Sequence, residues 1–198
     1  MRPIFTVHAG EFLVGQYIES RFKGTNVWVP TKDRGFDLLI TNGTHKKTLS
    51  LQVKFSRDFL PTMKLEPSAL KELRSCTWFT LERKKVVTSA ADLWVFVLLG
   101  FEKSTYDYVM IPPAELLQRL ENLHGNTPRY QTYIWVTKKN RAWLTRGISK
   151  DDQLKIAENT FRHKVRELTR ELNNWTLVEQ LQQTRSRRSS SESRSDAQ

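Results

Sequence analysis

The sequence predicts a mixed α/β domain with a central sheet, and three stretches carry this prediction. Residues 8–22 have apolar side chains at helical spacing, and residues 36–55 resemble two strands joined by a turn. Residues 93–99, LWVFVLL, form a continuous apolar run, which is typical of a strand covered on both faces of its sheet. Helix, hairpin and buried strand in this order predict one α/β unit with a mixed sheet.

The first helix is predicted from Val14, Ile18 and Phe22, which recur every four residues and form one apolar face. The hairpin is predicted from the turn at Asn42-Gly43 and from LSLQVKF at 49–55, which alternates between apolar and polar side chains. The other predicted elements, in chain order, are a short strand at 27–30, a helix at 68–74, strands at 93–99 and 108–111, a helix that begins at Pro112-Pro113, and strands at 130–136 and 142–145.

The C-terminal quarter of the chain predicts one long helix. Ser149 with Asp152 three residues later resembles a capping box, and apolar residues from Leu154 to Trp175 repeat at three, four and seven. This stripe packs either on a partner copy or on the chain's own sheet. Residues 184–198 contain no apolar side chain except Ala197, so we expect them to be disordered.

Charge indicates a polyanionic partner. Lys plus Arg number 32 against 21 Asp plus Glu, which gives a net charge of +11 and an isoelectric point near 9.9. Nucleic acid is the commonest partner of so basic a chain. An acidic membrane surface is disfavoured, because no polybasic segment has a strongly apolar opposite face. The longest apolar run, residues 93–101, is too short to cross a bilayer.

Several classes of site are disfavoured by what the sequence lacks. Cys76 is the one cysteine, so neither a disulfide nor a cysteine-based zinc site can form within the chain. There is no Walker phosphate loop, no dinucleotide glycine fingerprint, no HExxH and no serine nucleophile elbow, and no small-molecule cofactor is expected. Residues 1–12 do not have the pattern of a signal peptide, so a cytoplasmic location is expected.

Polar residues of the helix and the hairpin form the candidate site. Asp37 lies among apolar strand residues, where an unpaired carboxylate is costly. Gln52 and Lys54 share one face of the returning strand, and we expect Asp37 to face them across the hairpin. Glu11 lies in the first turn of the helix, on its inward face. Each residue also has a simpler explanation: Asp37 as a structural ion pair, Glu11 as a partner of the helix dipole, and Gln52 and Lys54 as a solvated strand face.

Taken in order, Glu11, Asp37 and Gln52-Val53-Lys54 resemble the motif of the PD-(D/E)XK nuclease superfamily, which has the restriction-endonuclease-like fold. The resemblance covers roughly residues 8–112 and includes the helix and the apolar strand after the hairpin. Small stand-alone nucleases are the most similar subgroup: intron-associated homing endonucleases, Holliday-junction resolvases and short restriction enzymes. The resemblance implies an αβββαβ core with a mixed central sheet.

The same resemblance implies hydrolysis of DNA phosphodiester bonds with Mg²⁺, for which Mn²⁺ substitutes. Asp37 would be the central metal ligand, together with the Gln52 amide oxygen, the Val53 backbone carbonyl and Glu11, directly or through water. Lys54 would orient the attacking water and stabilise developing negative charge.

Two departures from the superfamily pattern keep other functions open. Gln52 stands where Glu or Asp is more usual, and Phe36 stands where a proline usually precedes the aspartate. One alternative is a non-catalytic DNA-binding protein on a decayed nuclease fold. The other is an RNA-binding protein whose function depends on its basic tail.

Basic residues outside the motif are the candidate DNA contacts: Arg34, Lys84, Lys85, Lys138, Lys139 and Arg141. A homodimer or higher oligomer is expected, because cutting both strands of a duplex usually needs two sites. The predicted division is a nuclease-like core at 1–148, a C-terminal helical appendage at 149–183 that packs on the core or on another copy, and a disordered Arg/Ser-rich tail at 184–198.

Overall fold

Six helices and eight strands follow one another along residues 9–32, 34–56, 66–102 and 105–182, which the computed structural model describes. The helices are α1 (Ala9–Arg21), α2 (Pro67–Glu72), α3 (Arg83–Val87), α4 (Pro113–His124), α5 (Lys150–Glu158) and α6 (Thr176–Gln182). The strands are β1 (Thr25–Trp28), β2 (Leu38–Asn42), β3 (Thr48–Ser56), β4 (Leu73–Glu82), β5 (Leu93–Leu99), β6 (Tyr106–Ile111), β7 (Arg129–Thr137) and β8 (Ala142–Leu144).

The strands form two separate sheets. The first has five strands in the order β1-β2-β3-β5-β6, in which β3 and β5 are parallel and the other neighbours are antiparallel. The second sheet is antiparallel, with the order β4-β7-β8. The chain therefore leaves the first sheet after β3, forms a strand of the second, and returns for β5.

Three hydrophobic cores arrange these sheets in layers. α1 and α6 cover one face of the five-stranded sheet, and the three-stranded sheet covers the other, together with α4. α2 and α5 cover the outer face of the three-stranded sheet. β5 contributes to both cores of its own sheet, with Leu93, Val95 and Val97 on one side and Trp94, Phe96 and Leu98 on the other. This confirms that the apolar run LWVFVLL is a strand covered on both faces.

The predicted elements from α1 to β8 are largely confirmed. α1, β1 and the β2–β3 hairpin lie within two or three residues of their predicted positions, and β5, β6, α4, β7 and β8 are all present. The fold is mixed α/β with a mixed sheet, as predicted. β4 and α3 were not predicted, and the helix expected over 68–74 ends at Glu72, where β4 begins.

The predicted long C-terminal helix is wrong. Ser149 does cap α5, because its hydroxyl accepts a hydrogen bond from Asp152 N–H at 3.1 Å. α5 nevertheless ends at Glu158, because Asn159 takes a left-handed conformation with φ of 65°. Residues 160–175 follow an irregular path, and their apolar side chains divide among the three cores: Phe161, Leu168 and Trp175.

The segment from 165 to 173 adds to an outer strand of each sheet. Leu144 N–H donates to Arg166 O and Leu168 N–H donates to Ala142 O, both at 2.8 Å, along β8. Met110 N–H donates to Glu171 O at 3.0 Å, and Asn173 binds Tyr108 along β6. Residues 165–173 therefore add to both sheets, and the apolar stripe packs on the chain's own cores, which is the second of the two predicted alternatives.

Two further expectations concern the C-terminal tail and a membrane-spanning helix. The predicted disordered tail at 184–198 lies outside the described residues. Among the helices of the described ranges, none is long and apolar enough to cross a membrane.

Candidate active site

A cleft of about 680 Å³ opens where α1, the loop before β2, β3, α3 and β5 meet. It contains every residue of the predicted motif, namely Glu11, Asp37, Gln52, Val53 and Lys54. The rest of its lining is Ala9, Gly10, Gly35, Phe55, Lys85, Thr88, Ser89 and Trp94. Residues far apart in the sequence therefore meet in one concave surface, which is the usual setting of a binding site.

Asp37 lines this cleft and is held in place by hydrogen bonds from β3. Its Oδ2 accepts a hydrogen bond from Val53 N–H at 2.7 Å and another from the Gln52 side-chain amide. The Asp37 N–H in turn donates to Leu51 O at 2.8 Å. The carboxylate is thus held by both the backbone and a side chain of β3, and the predicted meeting of Asp37 with Gln52 is confirmed.

The hairpin register explains this meeting. Leu38 pairs with Leu51 and Leu39 with Ser50, so Asp37, one residue earlier, lies opposite Gln52. Because side chains alternate along a strand, Leu49, Leu51 and Val53 turn towards the core beneath α1. Gln52 and Lys54 consequently point to the opposite face, where the cleft lies.

Lys54 lies over an aromatic ring. Its Nζ is 5.2 Å from the ring centroid of Trp94, which is 2% exposed. The parallel register of β3 and β5 places Gln52 beside Trp94 and Lys54 beside Phe96. A cation over an aromatic face is attracted to the ring quadrupole, so Trp94 restricts where the Lys54 ammonium can lie. The Trp94 indole is itself fixed, because its N–H donates to Ser89 Oγ at 2.8 Å.

Gly10 allows the start of α1 to lie close to β3. A Cβ atom at Gly10 would overlap the Cβ of Phe55 and lie 3.3 Å from Cγ1 of Val53. Only glycine fits this approach, which brings the next residue, Glu11, to the rim of the cleft. The sequence indicated Glu11 as an inward acid, and the structure shows the contact that carries it there.

The donor set suits a hard cation. No group of three His, Cys, Asp or Glu side chains with metal-binding geometry occurs within the described ranges. The cleft instead offers oxygen atoms of mixed type: the carboxylates of Asp37 and Glu11, the Val53 carbonyl and the Gln52 amide. Mg²⁺ accepts such a set and keeps several waters. The Gln52 amide and the Val53 N–H both donate to Oδ2 of Asp37, and neither of these two bonds involves Oδ1. The Gln52 amide would present its oxygen to a cation after a rotation of about half a turn, which exchanges its nitrogen for its oxygen.

The predicted DNA contacts fall into two groups. Lys85 lines the cleft, Lys84 precedes it on α3, and Arg34 is exposed beside Gly35. Lys138, Lys139 and Arg141 follow β7, whose nine residues span about 30 Å. Since α3 begins at the other end of the β4–β7 pair, these three lie far from the cleft.

Arg141 differs from the two exposed lysines beside it. Its guanidinium pairs with Glu167 at 2.6 Å and lies over the ring of Trp143. Its contact with DNA stays a prediction, as do those of Arg34, Lys84, Lys85, Lys138 and Lys139.

Sequence reasoning missed the contributions of Thr88, Ser89 and Trp94. Thr88 and Ser89 follow α3, which brings them to the cleft together with Lys85. Trp94 was visible as part of the apolar strand, but its even position on β5, which points towards Gln52 and Lys54, carried no signal of its own. Pairing β3 with β5 in parallel would have located it.

Comparison of this chain with protein-family models, curated proteins and solved structures finds no match in any of the three.

Proposed function

We propose that this protein is a metal-dependent endonuclease that hydrolyses DNA phosphodiester bonds on a restriction-endonuclease-like core. The observation that carries the proposal is the single cleft in which Glu11, Asp37, Gln52, Val53 and Lys54 meet. If each of these residues had only a structural role, they would not need to lie in one cleft. In a metal-dependent hydrolase, the metal ligands and the catalytic lysine must lie together around the substrate.

The topology supports the same proposal. α1 is followed by the antiparallel strands β1, β2 and β3, and β5 then pairs in parallel with β3. This order is consistent with the αβββαβ core, with β4 inserted between the third strand and the fourth. α2 and α3 are the helical parts of that crossover.

The residues divide the chemistry among them. A bound divalent cation supplies charge neutralisation at the phosphate and a hydroxide near neutral pH. Asp37, Glu11 and the Val53 carbonyl would hold that cation through oxygen atoms, with the Gln52 amide oxygen as a neutral ligand. Lys54 would orient the attacking water and stabilise charge on the phosphate, and Trp94 would position its ammonium. Lys85 adds a second ammonium group, beside that of Lys54, to the same cleft.

A non-catalytic DNA-binding role is the second candidate, and one contact favours it. The Gln52 amide nitrogen donates to Asp37, which satisfies the carboxylate without any cation. A decayed site would keep this bond as a structural link between β2 and β3. The two candidates differ in whether the amide turns its oxygen to the cleft.

A cleavage assay separates the candidates. Supercoiled plasmid, linear duplex, a four-way junction and a duplex RNA would each be incubated with the protein in Mg²⁺, Mn²⁺ or EDTA. We expect metal-dependent nicking of DNA that is lost in Asp37→Ala and in Lys54→Ala. DNA binding in EDTA should survive Lys54→Ala, because one charge adds little beside the other basic residues.

The control is Lys46→Ala, which removes one exposed lysine from the β2–β3 turn, at the opposite end of the hairpin from Asp37, and should leave cleavage intact. Binding of DNA without cleavage in any metal would favour the non-catalytic role. Preference for RNA would contradict both.

A further inference from the structure

A second cleft, of about 400 Å³, lies at the end of α4 and the start of β7. Its lining is polar and basic: His124, Thr127, Arg129, Tyr130, Gln131 and Arg146. Two guanidinium groups and an imidazole around one concavity are the side chains that proteins use to bind phosphate.

Among the described residues, no carboxylate forms an ion pair with the arginines of this cleft. Elsewhere in the fold, Arg74, Arg83, Arg119 and Arg141 each form an ion pair with a carboxylate. Within the described part of the chain, no such pair involves Arg129, Arg146 or the nearby Arg166. Glu82 lies opposite Arg129 in the β4–β7 register, but its carboxylate contacts Lys85 at 3.5 Å.

The neighbouring arginines are held by neutral partners. The Arg146 guanidinium donates to the Gln131 side-chain oxygen, which fixes it at the cleft. Arg166 donates to the carbonyls of Leu144 at 3.1 Å and Arg146 at 2.8 Å. Burial lowers the pKa of Arg166, and the charge of Asp152 acts in the opposite direction. A partly buried cation is costly, and an anion in the cleft would offset part of that cost.

α3 connects this cleft with the catalytic one. Arg83, the first residue of α3, donates its N–H to Pro128 O at 2.9 Å, immediately before Arg129. Lys85, two residues later, lines the catalytic cleft. α3 has five residues, so at 1.5 Å per residue it is about 7.5 Å long. Arg129 of this cleft and Lys85 of the catalytic cleft therefore lie near opposite ends of one short helix.

We propose that His124, Arg129 and Arg146 bind a backbone phosphate of the DNA whose scissile phosphate lies in the catalytic cleft. This inference rests on the proposed function for its choice of ligand. Arg129 and Arg146 supply charged N–H donors from exposed positions on either side of Gln131. His124 supplies a third donor, and the contact positions the duplex without reading its sequence.

The test measures DNA affinity as a function of salt, in EDTA so that no cleavage occurs. Fluorescence anisotropy of a labelled duplex would compare the wild type, Arg146→Gln, and the double variant Arg129→Gln/Arg146→Gln. The matched control is Lys46→Gln/Lys47→Gln, which removes the same charge from exposed residues in the β2–β3 turn. Loss of one phosphate contact should reduce the slope of log affinity against log salt by about 0.9.

We expect that reduction in the double variant, part of it in Arg146→Gln, and none in the control. An unchanged slope, or an equal change in the control, would overturn the proposal. All variants should keep the wild-type thermal transition, because the substituted side chains are exposed. Arg146→Gln alone gives the decisive comparison if the double variant is less stable.

Two further arms separate the sources of phosphate. Inorganic phosphate is titrated in thermal unfolding. If it stabilises the wild type and not the double variant while the DNA slope is unchanged, the cleft binds free phosphate and the proposal fails. If the substitutions change the salt slope for duplex RNA but not for duplex DNA, the proposal is also overturned. Failure of the proposed function is seen separately, as absence of metal-dependent cleavage by the wild type, and the salt comparison stands whatever that result.

Discussion

At the scale of single residues, the side-chain amide of Gln52 has two possible orientations with different consequences. With its nitrogen towards Asp37, the amide donates a hydrogen bond to the carboxylate, and this contact needs no cation. With its oxygen towards Asp37, two acceptors face one another, and only a cation between them makes that arrangement favourable. A side chain at position 52 that has only acceptor oxygens therefore distinguishes a metal site from a structural hydrogen bond.

We expect Gln52→Glu to lower the free energy of unfolding in EDTA by about 1–3 kcal/mol, because a donor is lost and a second carboxylate faces Asp37. Mg²⁺ or Mn²⁺ at about 100 times the dissociation constant should restore about 2.7 kcal/mol. Urea denaturation with and without metal measures both effects. Gln52→Ala is the control, since it also loses the bond but adds no ligand. A metal-independent loss in Gln52→Glu would assign the amide a structural role.

His124 should make stability depend on pH. Burial lowers the pKa of its imidazole, and the charges of Arg146 and Arg166 lower it further. In the unfolded chain a histidine titrates near 6.5, so below that pH the unfolded state binds the proton more readily than the folded state does. The free energy of unfolding therefore falls as pH drops below about 6.5, until the folded imidazole also titrates.

We expect His124→Gln to lack this loss, so its stability relative to the wild type should improve between about pH 8 and about pH 5. Urea denaturation of both proteins across this range is the measurement. Parallel pH profiles would contradict the expectation. Saturating phosphate should reduce the difference, because an anion beside the imidazole favours its protonated form.

At the scale of elements, α1 has two glycines in different surroundings. A Cβ at Gly10 would overlap Phe55, whereas a Cβ at Gly15 would lie 3.5 Å from Cγ1 of Val27, an ordinary contact. We expect Gly15→Ala to stabilise the protein by up to about 1 kcal/mol through helix propensity. Gly10→Ala should destabilise it by about 1–3 kcal/mol, because α1 must move away from β3.

The same movement should displace Glu11, so Gly10→Ala should also weaken metal binding while Gly15→Ala leaves it unchanged. Calorimetric titration of Mn²⁺ and thermal unfolding of both variants test the pair. Equal effects from the two substitutions would show that the approach of α1 to β3 does not control the cleft.

Elements with strict alternation could be predicted from the sequence, and those with mixed burial could not. LSLQVKF alternates without exception, so the hairpin and the facing of Asp37 and Gln52 followed from it. β4 was missed because Ser75 and Thr77 are buried polar residues that hide its pattern. The long helix was predicted because helical spacing from 154 to 175 does not reveal that the apolar residues enter different cores. The helix ends at Asn159, a residue type that adopts the left-handed conformation at helix C-termini more readily than most, and this signal was overlooked.

At the scale of the whole molecule, the segment 165–173 lies along one edge of each sheet and leaves β1 and β4 as the other two edge strands. It binds the outer sides of β6 and β8, while no described strand pairs with the outer side of β1. Trp28 and Val29 are 50% and 46% exposed at that edge. If the chain dimerises, β1 is therefore one edge available for strand pairing, and it carries the exposed Trp28.

A dimer is still expected for double-strand cleavage, although the C-terminal stripe no longer supports it. Light scattering at working concentration measures the mass of wild type and of Trp28→Lys, which places a charge on this edge. We expect a dimer that Trp28→Lys weakens. A single monomeric mass for the wild type would contradict the dimer.

We expect deletion of residues 184–198 to leave the thermal transition and the cleavage chemistry unchanged. The deleted residues carry four Arg against one Glu and one Asp, a surplus of two positive charges, so DNA binding should weaken slightly and most at low salt. Thermal unfolding and anisotropy of the truncated protein test this. Loss of the unfolding transition would show that the tail contributes to the fold.

The diversion of the chain between β3 and β5 has a consequence for the order of folding. β4 pairs along its length with β7, and residues 83–128 separate the two strands. During synthesis β4 therefore emerges well before its partner, and the closure of such a long loop slows folding. Until β7 arrives, a strand containing Phe79 and Leu81 has an unpaired edge, which favours aggregation. A fragment that ends before residue 129 should therefore aggregate, and refolding yield of the whole chain should fall as protein concentration rises.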